Sequence, residues 1–101
     1  MTSTHDRPMP ELRDNTGRRR YEMAVKGGTA FVTYRAEPDR LILLHAEVPR
    51  AVEGRGVGSR LVRVVLDDAR RRKLRVVPVC GFISAYIRRH PEYADLLARA
   101  A

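Results

Sequence analysis

Three observations predict a mixed α/β fold of order β-β-β-β-α-β-α. Residues 18–48 alternate apolar and polar side chains with turn signals between the runs, which is strand periodicity. Residues 56–72 then repeat apolar side chains at helical spacing, directly after a glycine-rich loop. A short apolar run at 74–79 and a second helical pattern at 82–89 complete the order.

The elements follow from local chemistry. Residues 1–10 are polar, carry two prolines and read as a flexible arm, with a single domain expected over 11–101. Residues 11–14 suggest a short strand, closed by the turn Asn15-Thr16-Gly17. Over residues 18–26, Tyr21, Met23 and Val25 point one way and Arg20, Glu22 and Lys26 the other. Gly27-Gly28 is a hairpin signal, and the β-branched and aromatic residues 29–35 form the return strand. Residues 40–48 make a longer strand, apolar on both faces in its first half, which predicts a central position. In the long helix Val57, Leu61, Val64, Val65 and Ala69 share a face, with Arg60, Arg63 and Asp67 opposite. The run 74–79 follows a helix, so it pairs parallel to residues 40–48. Phe82, Ile83, Tyr86 and Ile87 form the apolar side of the next helix, His90-Pro91 stops it, and residues 92–99 give a last helical segment.

Composition bounds the function. The chain has 101 residues, a size for one compact core, and a hydrophobic content of 44% that suits a globular protein. No apolar run is long enough to cross a bilayer, and no secretion signal opens the chain. A single cysteine, Cys80, excludes an internal disulfide framework, so a reduced, cytoplasmic setting is expected. The three histidines and one cysteine lack ligand spacing, so no metal is expected. The formal net charge is +8, which favours polyanions: phosphorylated small ligands, nucleic acid or anionic membranes. The run Arg70-Arg71-Arg72-Lys73 stands where cations offset the negative end of a helix dipole. It carries no aromatic interleaving, which disfavours nucleic acid.

The segment from Val48 to Leu61 carries the chemistry. It reads V-P-R-A-V-E-G-R-G-V-G-S-R-L, an apolar strand end, glycines at 54, 56 and 58, then a helix start. Glycines let the backbone approach a ligand closely, and a helix start offers unsatisfied N–H groups with partial positive charge. Together they form a cradle for a phosphate or pyrophosphate.

These residues resemble the GNAT acetyltransferase superfamily, more narrowly its small single-domain YjdJ-like branch. The features that carry the resemblance are the hairpin strands, His45-Ala-Glu-Val-Pro, Glu53-Gly-Arg-Gly-Val-Gly58, Pro78-Val-Cys80 and Ala85-Tyr-Ile-Arg-Arg-His-Pro-Glu-Tyr93, within residues 11–97. The resemblance implies a mostly antiparallel sheet whose one parallel pair splays apart, with the pantetheine arm of acetyl-coenzyme A slotted into the gap like an added strand. It implies acetyl-CoA as cosubstrate and an amine as acceptor. The superfamily loop runs Gln or Arg, two residues, Gly, one residue, Gly or Ala. Gly56 and Gly58 match its last fixed positions, whereas Glu53 stands where a cation or glutamine is usual. Val48, Gly54, Arg55, Gly56, Val57, Gly58 and Ser59 are the expected cofactor-binding residues. His45 and Glu47, read as sharing a face with Leu41 and Leu43, are candidate bases. Cys80, just before a helix start, is a candidate acyl acceptor or a lining residue. Tyr86 is a candidate acid for the leaving thiolate. Beside each role stands a plain alternative: strand-end polar residues, a small buried thiol, a core aromatic. The helices that enclose an acceptor in larger relatives are absent between the first two strands. This leaves either an open site for a protein or peptide amine or a CoA-binding protein with little catalysis. A basic nucleic-acid-binding module is the third reading.

Overall fold

The computed structural model describes residues 12–98. The expected arm and the first residue of the expected first strand lie outside them. The elements run β1 (Leu12–Asn15), β2 (Arg20–Val25), β3 (Gly28–Glu37), β4 (Arg40–Glu47), α1 (Val57–Arg71), β5 (Arg75–Pro78) and α2 (Gly81–Arg89). Single 3-10 turns at Arg50–Val52 and Pro91–Leu96 follow β4 and α2. The expected last helical segment, whose final residue lies outside the described residues, is a 3-10 helix. Pro91 at its start lacks the N–H that a continuing helix needs.

The sheet order is β1-β2-β3-β4-β5, antiparallel except for the parallel β4–β5 pair. β4 is an interior strand but not the middle one, since only β5 lies beyond it. That edge is partly closed by the end of the described chain. Leu97 bridges Val76, and the Ala98 N–H donates to the Val76 carbonyl at 2.9 Å.

One face of the sheet holds Tyr21, Met23, Ala30, Val32, Tyr34, Leu41, Leu43 and Val76, all buried in a single cluster with α1 and α2. The helical face read from spacing is buried at Leu61, Val64, Val65 and Ala69, and Val62 and Leu66 widen it. At about 25 cal/mol per Å² of apolar area, this shared burial is the main force that holds the layers together.

A polar network pins the last turns of α1 to this face. The Tyr21 hydroxyl donates to Asp68 Oδ2 at 3.0 Å, and Arg72 Nη1 donates to the same hydroxyl at 2.7 Å. Arg71 pairs with Asp68, and the Tyr34 hydroxyl donates to Asp14. Burial and the neighbouring Asp14 push the Tyr34 hydroxyl up to about 12, so it stays a donor. Asp68 is buried, and removing any one partner would leave its charge less satisfied.

Among the described residues, the opposite face carries no helix. Glu22 is only 6% exposed there, because Arg13 (2.8 Å), Arg20 (2.6 Å) and Asn15 (3.1 Å) close over its carboxylate. Hydrogen bonds from Arg13 and Arg20 hold its pKa at about 2, below the ordinary 4.5. A carboxyl depressed in the folded state stabilises the fold above its unfolded pKa and loses that contribution as pH falls through the folded value. Stability should therefore drop progressively from about pH 4.5 to about pH 2. Glu22→Gln should flatten this part of the curve, as measured by urea unfolding at stepped pH. Identical curves would remove Glu22 from the account.

The end of α1 yields a second prediction. Lys73 adopts φ 60, the left-handed conformation of a helix terminator, and the Leu74 N–H returns to the Ala69 carbonyl at 2.9 Å. Glycine takes this conformation without strain. Lys73→Gly should stabilise the protein by about 0.5–1 kcal/mol, a rise in Tm of roughly 2–8 °C by calorimetry.

Candidate active site

The site is made where β4 and β5 part. Their parallel pairing ends at Leu43 and Pro78. The Val79 and Cys80 N–H groups both donate to the Leu43 carbonyl, at 3.0 and 3.1 Å, and the chain then turns into α2. Beyond this point β4 continues to Glu47 and, among the described residues, pairs with β3 alone. Its other edge faces a gap.

A bulge marks the same place. Tyr34 pairs with Leu43 but Thr33 pairs with His45, so Leu44 is an extra residue. The extra residue reverses the alternation. Ala46 pairs with buried Val32 on the helix face, while His45 and Glu47 pair with Thr33 and Phe31 on the open face. His45 and Glu47 thus do not share a face with Leu41 and Leu43, which corrects the alternation read from the sequence. The two are exposed and adjacent, with His45 Nε2 3.1 Å from Glu47 Oε1.

The loop after β4 supplies the floor. A cleft of about 390 Å³ is lined by Ala46, Val48, Val52, Glu53, Gly54, Gly56, Gly58, Ser59 and Phe82. Gly54 and Gly56 have φ 80 and 78, a conformation that L side chains resist, and nothing lies within 4 Å of where their Cβ atoms would stand. The backbone is therefore bare on its open side. Gly56 caps α1, and the first intrahelical donor is Arg60, whose N–H reaches the Gly56 carbonyl at 3.0 Å. The preceding N–H groups have no carbonyl within the helix to bond and point toward the loop. Gly58 is small for a different reason. A Cβ there would meet the Phe82 ring at 3.1 Å.

Among the expected cofactor-binding residues, Val48, Gly54, Gly56, Gly58 and Ser59 come together in this cleft. Arg55 is exposed outside its lining, and Val57 packs partly against the core. Cys80 is the N-cap residue of α2, half-buried against the core, and is not among the cleft's lining residues. Tyr86 is buried and stacks on His90, with centroids 3.9 Å apart, in a groove that shares Gly56 and Ser59 with the cleft. Burial raises its pKa, so its hydroxyl keeps its proton at neutral pH.

Sequence reasoning missed Phe82 and the apolar mouth. Phe82 belongs to the apolar side of α2, as expected, but it is 42% exposed over Gly58. Leu44 and Val79 are also exposed, at 44% and 60%, where the strands part. The available signal was a glycine inside the first turn of a helix, which hints at an aromatic packed against it. Among the described residues, no group of three or more His, Cys, Asp or Glu side chains could hold a metal, and no helix is long and apolar enough to cross a membrane.

A five-stranded sheet that opens at one parallel pair, with a bare glycine loop feeding a helix, defines an acyltransferase-type fold. Residues 20–96 match the family described as GCN5-related N-acetyl-transferase, and the chain belongs to that family. It is 30% identical over 77 residues to Protein NATD1 of Mus musculus, covering 73% of this chain and 70% of the relative. The Homo sapiens Protein NATD1 is likewise 30% identical, with 73% of this chain and 68% of the relative covered. The solution structure of a GCN5-like protein from Staphylococcus aureus shares the fold, with a TM-score of 0.67, 22% identity and 93% of each chain covered.

Because nothing crowds Gly56, replacing it isolates the backbone effect. Gly56→Ala should destabilise the protein by about 1 kcal/mol through its positive φ alone. Gly58→Ala should gain helix propensity but displace the exposed Phe82 ring. A crystal structure of Gly58→Ala with Phe82 unmoved would contradict this reading of the packing.

Proposed function

We propose that the chain binds acetyl-CoA along the β4 edge and over the glycine loop, and transfers the acetyl group to an amine. The observation that carries this reading is the coincidence of three features at one place: the end of β4–β5 pairing at Leu43, the Leu44 bulge, and the bare loop Gly54–Gly58. The N–H groups at the start of α1 suit a pyrophosphate. The edge from Leu44 to Val48 suits an extended amide-bearing arm, which would hydrogen-bond as an added strand. The apolar mouth of Leu44, Val79 and Phe82 suits an acetyl thioester.

In direct transfer a neutral amine attacks the thioester carbonyl, the C–N bond forms and the C–S bond breaks. The His45–Glu47 pair, exposed beside the mouth, is suited to take the amine proton. A backbone N–H at the bulge is suited to the developing oxyanion. Tyr86 keeps its proton and is our candidate donor to the leaving sulfur. Cys80, one residue past Val79, is our candidate alternative acceptor, through which the acetyl group would pass as a thioester. Where larger enzymes wall off an acceptor pocket, the sheet face here, free of helices among the described residues, favours an amine on a protein or peptide. The reading of a CoA-binding protein with little catalysis differs only in the chemical step.

Acetyl-CoA should raise Tm, because a ligand that binds only the folded state stabilises it by ~2.7 kcal/mol at a hundredfold excess over Kd. Gly56→Asp, which sets a negative charge in the cradle, should abolish the shift. No shift of the parent protein at millimolar acetyl-CoA would sink the proposal. Intact mass spectrometry after incubation with acetyl-CoA separates the two routes. An added acetyl group on the parent protein that is missing from Cys80→Ala supports passage through Cys80, whereas turnover retained by Cys80→Ala supports direct transfer.

A further inference from the structure

A second hollow lies at the far end of α1 from the glycine loop. It encloses about 490 Å³, against about 390 Å³ for the cleft, and its lining includes Asp14, Thr16, Arg19, Tyr34, Arg35 and Arg72. Three arginines thus face one aspartate. That aspartate is already occupied: it accepts from the Tyr34 hydroxyl and lies 3.5 Å from Arg72 Nη1.

Arg72 is held in place before any ligand arrives. Its contacts to Tyr21 Oη (2.7 Å), Asp68 Oδ2 (3.3 Å) and Asp14 Oδ2 (3.5 Å) all use Nη1. A guanidinium has five N–H donors in a fixed fork, so Nε and Nη2 stand outside this network on a side chain 40% exposed. Positioned guanidinium donors of this kind match the paired oxygens of phosphate or carboxylate.

Arg19 adds the second cation, at a cost to the fold. Its φ is 55, in the left-handed region, fixed by its own N–H on the Thr16 carbonyl at 3.2 Å and by the Tyr34 N–H on its carbonyl at 2.9 Å. Glycine or asparagine is the relaxed choice at such a turn position. Lys73 shares this strain, but as a helix terminator. Arg19 ends a turn that glycine would serve better, and its guanidinium makes no ion pair among the described residues. Among the described residues Arg35 pairs with Glu37 alone, at 3.7 Å between exposed groups, a contact of little energy.

We propose that this hollow is a second binding site, for a small polyanion that presents phosphate or carboxylate oxygens to Arg19 and Arg72. It is separate from the glycine loop: the two hollows share no residue, and α1 lies between them.

The test is an amide and arginine side-chain NMR titration of the full chain, with inorganic pyrophosphate in one arm and citrate in the other. Saturable shifts are expected at Thr16, Arg19 and the Arg72 Nε–H group. A response to pyrophosphate alone assigns phosphate-bearing ligands, to citrate alone polycarboxylates, and to both a general oxyanion site. Arg19→Gly removes the guanidinium and relaxes the backbone, so it should fold at least as stably as the parent. It should weaken binding at this end by about tenfold, the loss of one charge-assisted contact, while any shifts at residues 54–59 persist. Shifts confined to residues 54–59, or an Arg19→Gly response equal to the parent's, would overturn the proposal.

Discussion

The main-chain carbonyl of Leu43 accepts from both Val79 and Cys80, and on this shared acceptor the parallel pairing of β4 and β5 ends. A carbonyl oxygen has two lone pairs, so accepting two hydrogen bonds is chemically ordinary. Its structural effect is large. β5 can follow β4 no further, and α2 starts at once with Gly81. The next residue of β4, Leu44, is the bulge that turns Ala46 inward and His45 and Glu47 outward. The gap, the apolar mouth and the placement of the polar pair all depend on this junction.

The strand periods, the glycine loop and the long helix were legible because each is a local pattern. Burial of Tyr21, Met23, Leu61 and Val65 follows directly from spacing. The bulge was not legible. Leu41 to Leu44 are apolar without a break, so no change of pattern marks an extra residue, which is visible only in the pairing with Thr33 and Tyr34. The exposure of Phe82 over Gly58 was hidden for a related reason. Helical spacing shows that an aromatic lies on an apolar side, but not that its neighbour across the gap is a glycine in another helix. The network of Tyr21, Asp14, Asp68 and Arg72 joins residues far apart in the chain, and no motif announces it.

The positive charge also sorts itself spatially. Arg70 is bound to Asp95 at 2.8 Å and to the Glu92 carbonyl at 2.7 Å, Arg71 and Arg72 serve Asp68, and Arg75 donates to the Asp95 carbonyl at 2.6 Å. The arginine run that suggested a polyelectrolyte surface is therefore largely committed to holding α1 and the Pro91–Leu96 turn in place. This weakens the case for nucleic acid without reference to motifs, since cations engaged in ion pairs release few counterions on binding.

The bridge from Leu97 to Val76 has a consequence for association between molecules. β5 is a short edge strand whose outer N–H and C=O groups would otherwise template another chain. The Ala98 N–H takes the Val76 carbonyl, so the segment after the Pro91–Leu96 turn occupies part of that edge from within the same molecule. Shortening the chain before Leu97 would therefore remove a guard against strand-to-strand aggregation. The damage would show as loss of solubility before any loss of folded structure.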